Sequence, residues 1–137
     1  MRNIDVATAF VSAINAHNAE QIANLASEDH EFIDISGRSI CGREAVCAAW
    51  RGYFAFCPDY WVKADEVIGG ANCVALFGAA GGTIIEAGRR YAANEWRIPA
   101  AWRAVIRQDL VECWQVYADL KPVYDIVDRL QRSGRDE

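Results

Sequence analysis

Val6, Phe10 and Ile14 recur every four residues with alanines between them, behind Asn3 and Asp5 as capping candidates. This spacing predicts an amphipathic first helix ending near His17. Asn18 followed by Gln21 forms a capping-box pattern and opens a short second helix carrying Ile22 and Leu25. At EFIDIS, residues 31–36, the period changes to two, with Phe32 and Asp34 on one face of a strand and Ile33 and Ile35 on the other. After Gly37 and Gly42 the helical period returns. The segment REAVCAAWRGYF, 43–54, collects Val46, Trp50, Tyr53 and Phe54 on one face, and Pro58 closes it.

From Tyr60 onward the chain reads as long strands, 60–68, 73–87, 94–107 and 110–119, with a bulge or bend expected at Gly81 and Gly82. Residues 69–72 and 107–110 are the hairpin turns. Helices followed by an antiparallel meander define an α+β domain in which the helices cover one sheet face, and a curled sheet would enclose a pocket. Val123, Ile126, Val127 and Leu130 then predict a C-terminal helix over about 122–132, with Pro122 in its tolerated first turn. No repeat, linker or low-complexity segment interrupts the chain, so residues 1–137 are expected to form one domain, with its core at about 5–121.

Charge narrows the choice of partner. Fourteen Lys and Arg against 19 Asp and Glu leave a net charge of -5, which argues against a nucleic-acid or anionic-membrane surface. Cys41, Cys47, Cys57, Cys73 and Cys113 are odd in number, lack CxxC spacing and sit in apolar runs. That pattern fits reduced thiols in a cytoplasmic protein without disulfides. Asp5 interrupts the N-terminal apolar stretch, which weakens a secretory reading, and no run reaches the length of a membrane span. Neither a Gly-rich phosphate loop nor a cluster of metal-ligand spacing occurs; His17 and His30 are isolated, and His30 reads as a solvated loop residue. No cofactor and no metal are expected.

The order of elements, with FVSAINAHN (10–18), FIDISG (32–37), GREAVCAAWRGYF (42–54) and the closing WQVYAD (114–119), resembles the nuclear transport factor 2-like superfamily and, within it, the SnoaL-like polyketide cyclases. The resemblance covers roughly residues 5–121. It implies a cone-shaped α+β fold whose pocket has hosted cyclases, ketosteroid isomerases, epoxide hydrolases, dehydratases and proteins that only bind. It also implies roles: Asp119 matches the last-strand acid/base of the cyclases, and Asp34 the first-strand base of the isomerases. Phe10 stands where the isomerases place a tyrosine, and Trp102 near a position where relatives have an acid or histidine. Glu95, Arg97 and Asp119 loosely imitate the Arg-bridged aspartates of the epoxide hydrolases.

If the 107–110 turn is tight, counting back along both strands puts Trp102 on one face with Cys113, Gln115, Tyr117 and Asp119. That face would line the pocket with Tyr53, Trp50, Phe10 and Phe32, leaving Arg103, Val105, Glu112, Trp114 and Val116 on an outer face suited to a homodimer. A carboxylate beside an indole in an apolar cavity should have a raised pKa and exchange protons near neutrality. The expected chemistry is therefore cofactor-independent acid/base work on a small hydrophobic carbonyl compound, with Asp119 as acid/base and Asp34 assisting. Two plainer readings stand beside it. Asp119 also suits a helix cap and Asp34 a turn, which would leave a module that binds a small molecule or a protein without turning it over.

Overall fold

The computed structural model describes residues 2–136. Helices α1 (Asn3–Asn15) and α2 (Ala19–Leu25) lead into strands β1 (Ala26–Ile33) and β2 (Ser39–Cys41), and α3 (Arg43–Phe56) follows. Strands β3 (Trp61–Gly69), β4 (Cys73–Thr83), β5 (Glu95–Arg107) and β6 (Leu110–Ala118) then run to the C-terminal helix α4 (Lys121–Asp136). All six strands form one curved, open sheet in the order β2-β1-β6-β5-β4-β3. The meander β3 to β6 is antiparallel, as its turn spacing predicts, whereas β1 runs parallel to β6. The sheet is thus mixed. The strand expected at 31–36 is the end of a longer β1, which turns at Asp34–Arg38 to pair with β2, a strand too short and too exposed to leave a periodic signal.

The helices form where their caps and periods require. Asn18 Oδ1 accepts the Gln21 backbone N–H at 3.0 Å and starts α2. The inward stripe of α1, Val6, Phe10, Ala13 and Ile14, is buried against the concave side of the sheet. Phe10 packs against Trp114 with ring centroids 4.9 Å apart. His30 is not in a solvated loop. It is completely buried, with Nδ1 2.6 Å from the Val111 carbonyl oxygen and the ring stacked on Phe10. Burial lowers its pKa, so the ring is held neutral.

The break expected at Gly81–Gly82 is absent, since β4 and β5 pair without a shift across both residues. The glycines instead admit close neighbours: a Cβ on Gly81 would lie 2.6 Å from the Trp61 ring, and one on Gly82 2.4 Å from Cys57 Sγ. Within the meander the irregularities are between Ala64 and Glu66 and, in the β5–β6 pairing, at Val105 and Ile106. Here Val105 opposes Cys113 and Ile106 opposes Val111, so Glu112 is an extra residue in β6. One inserted residue reverses the facing of everything beyond it. Trp102 consequently pairs with Val116 rather than Gln115, and Trp114, expected on the outer face, is 1% exposed inside the cone.

Candidate functional site

A cavity of about 310 Å³ lies between α3 and the concave face of the sheet. Helix α3 contributes Val46, Ala49, Trp50 and Tyr53, the i, i+3, i+4, i+7 stripe that a helix presents to one side. From β5 come Ile98, Ala100 and Trp102, every second residue of a strand, and from β6 Trp114 and Val116. Phe32, Asp34 and Ile35 at the end of β1, with Ile40 of β2, form the rim, while Tyr60 and Leu120 complete the wall. Among the described residues Asp34 is the one charged residue of the lining.

Its carboxylate is built into the turn. Asp34 Oδ1 accepts the Ser36 hydroxyl at 2.6 Å, the Ser36 backbone N–H at 2.8 Å and the Arg38 backbone N–H at 3.0 Å. These bonds, the Ser36 hydroxyl foremost, hold its pKa below the usual carboxylate value. Asp34 is therefore ionised and only a weak base. Tyr53 and Tyr60 add two phenol hydroxyls. Among the described residues neither phenol has a hydrogen-bond partner, and burial pushes both pKa values well above that of a free phenol. Both hydroxyls remain protonated, able to donate to or accept from a bound molecule. The indole N–H of Trp50 is also buried without an acceptor among the described residues.

Of the residues proposed from sequence, the cavity gathers Asp34, Trp102, Tyr53, Trp50 and Phe32. The others lie elsewhere. Asp119 is exposed outside the lining, and its Oδ1 accepts the Lys121 backbone N–H at 2.9 Å, securing the first turn of α4. Tyr117 is 49% exposed and pairs with Ala101, and Gln115 pairs with Arg103 on the same outer side. These three corrections have one cause, the extra residue at Glu112, since an unbulged strand would have turned them inward. Phe10 is buried in the core rather than in the cavity wall. Arg97 stacks over Trp61 at 5.2 Å from the ring centroid and makes no bond to Asp119, so the Arg-bridged pair required for epoxide opening is not assembled. Tyr60, Ile98 and Trp114 were missed as lining residues. Their signal was available: Ile98, Ala100 and Trp102 already alternate in sequence, and Trp114 joins them once the bulge is known.

The model of the SnoaL-like domain matches residues 7–114. The chain belongs to the SnoaL-like domain family. Solved structures agree in fold across nearly the whole length of this family member. A protein with a ketosteroid isomerase-like fold from Catenulispora acidiphila, in complex with trimethylamine, is 20% identical with a TM-score of 0.77, covering 90% of this chain and 91% of that one. A protein described as a SnoaL-like polyketide cyclase from Shewanella putrefaciens is 14% identical, with a TM-score of 0.78 and coverage of 94% and 98%. An LEH-like epoxide hydrolase of M. tuberculosis is 12% identical, with a TM-score of 0.75 and coverage of 95% and 92%. No curated protein matches the sequence. At these identities the likeness concerns the fold, on which unrelated sites are carried.

Proposed function

We propose that this SnoaL-like protein binds a small, largely apolar molecule in the cavity beneath α3. The observation that carries the reading is the lining itself: aromatic and aliphatic walls, two unpartnered phenol hydroxyls and a single carboxylate at the rim. Burying such a molecule contributes roughly 25 cal/mol per Å² of apolar surface, and the hydroxyls orient it. Capture of trimethylamine by the Catenulispora acidiphila relative supports small-molecule binding on this fold. Filling the cavity tests the reading. Titration with the neutral fluorophore N-phenyl-1-naphthylamine should give a saturable rise in emission that Ala100→Phe abolishes without loss of fold, because Ala100 faces the cavity. Emission that rises equally in both proteins would place the probe elsewhere and remove the reading.

A second reading is acid/base chemistry on a carbonyl compound. It is favoured by one observation, that Asp34 shares the lining with Tyr53 and Tyr60. Asp34 would take a proton from carbon next to the carbonyl while a phenol donates to the developing oxyanion. Exchange of the α-protons of a cyclic ketone in D2O, followed by NMR, measures this step directly. Asp34→Asn should slow the exchange by roughly a hundredfold, the usual contribution of a positioned base. Exchange no faster than in buffer would leave binding alone.

A further inference from the structure

We infer that the cavity selects organic cations, small molecules in which an ammonium group is carried on an apolar body. This specificity deepens the binding function proposed above and rests on it. Six aromatic side chains meet in the lining: Phe32, Trp50, Tyr53, Tyr60, Trp102 and Trp114. Trp102 and Trp114 stack at 23° and Trp50 lies at 37° to Tyr60, but Tyr53 and Phe32 stand across their neighbours. Tyr53 stands at 84° to Trp50 and 85° to Tyr60, and Phe32 at 80° to Trp50. The wall therefore offers rings in two nearly perpendicular orientations, the corner geometry that surrounds a rounded cation rather than the parallel slot that holds a flat neutral molecule.

The charges point the same way. Among the described residues no lysine, arginine or histidine lines the cavity, and Asp34 is the sole charged residue of the lining. Asp34 is held in place by its own turn, and the charge it brings to the rim opposes a bound carboxylate and favours a cation. A trialkylammonium suits both parts of the site. Its charge is spread over alkyl hydrogens, which meet the electron-rich ring faces at little desolvation cost, and Asp34 supplies the countercharge. The turn that ionises Asp34 binds through Oδ1 alone. Among the described residues no hydrogen bond occupies Oδ2.

The test uses two probes of the same shape that differ only in charge, phenyltrimethylammonium and tert-butylbenzene, titrated against the whole protein by tryptophan fluorescence. The cation should bind at least about tenfold more tightly, the size expected of a desolvated cation–π contact with a nearby carboxylate. Asp34→Asn keeps an oxygen acceptor for the Ser36 and Arg38 groups and so preserves the turn. It should weaken the cation several-fold and leave tert-butylbenzene unchanged. Equal affinity for the two probes, or an equal loss of both in Asp34→Asn, overturns the cation specificity while leaving the apolar binding site standing. Binding of neither probe would reject the binding function itself.

Discussion

Asp119 and Asp34 look equivalent as isolated acids, yet each is held by backbone N–H groups that dictate a different service. Asp119 accepts from the start of α4, and a capping oxygen there is worth about 1 kcal/mol, nearly all of which asparagine retains. Asp119→Ala should therefore lower unfolding stability in urea by about 1 kcal/mol and Asp119→Asn by a few tenths at most; a large loss in the asparagine variant would mean that the charge itself matters. His30 offers a second residue-scale prediction. Its folded-state pKa is lowered by burial, so the unfolded chain binds the proton more readily. The sign follows: stability is undiminished above the ordinary value of 6.5 and declines as pH falls below it, towards the folded-state pKa. Melting temperatures should fall between pH 7.5 and 5.5, before most carboxylates titrate, and His30→Gln should flatten that slope. An equal slope in the variant would assign the effect to other groups.

At the scale of elements, the helices and the four-strand meander were legible because their periods are clean and their punctuation is strong. Asn18 and Gln21, the stripe Val46, Trp50 and Tyr53, and the turns at 69–72 and 107–110 each carry a local cause that tertiary packing did not override. What could not be read was strand parity. Both parities of β6 carry apolar residues, Val111 and Cys113 on one and Trp114 and Val116 on the other, so the sequence does not reveal that Glu112 is the inserted residue. That single slip turned Asp119, Tyr117 and Gln115 outward and brought Trp114 in. The cavity lining was half legible for the same reason: Phe32, Asp34, Trp50, Tyr53 and Trp102 do line the cavity, whereas Gln115, Tyr117 and Asp119, beyond the bulge, do not, and Phe10 packs in the core. Bulges also constrain their neighbours. A Cβ on Gly78 would lie 1.8 Å from the Lys63 carbonyl oxygen beside the Ala64–Glu66 irregularity, so Gly78→Ala cannot be relieved by a rotamer change. It should cost roughly 3 kcal/mol or prevent folding, as backbone clashes in a sheet do. A thermal melt unchanged by Gly78→Ala would contradict this register.

At the scale of the whole molecule, α1 and α3 pack on the concave face of the sheet. On the outer side Phe77, Ala101 and Tyr117 stand in register across β4, β5 and β6, and Phe77 and Tyr117 are 43% and 49% exposed. We expect this row, in place of Trp114 and Val116, to meet a second copy in a homodimer. Sedimentation at micromolar concentration should show a dimer that Phe77→Asp dissociates; a wild-type monomer would dismiss the interface. The function proposed for the concave face can be followed through the protein's five tryptophans. Trp50, Trp102 and Trp114 line the cavity, whereas Trp61 lies under Arg97 away from it. The most direct measurement is the ¹⁵N–¹H spectrum of the indole groups during titration with phenyltrimethylammonium. Signals of Trp50, Trp102 and Trp114 should shift together and saturably while that of Trp61 stays in place; movement of Trp61 with the other three unchanged would contradict a binding site beneath α3.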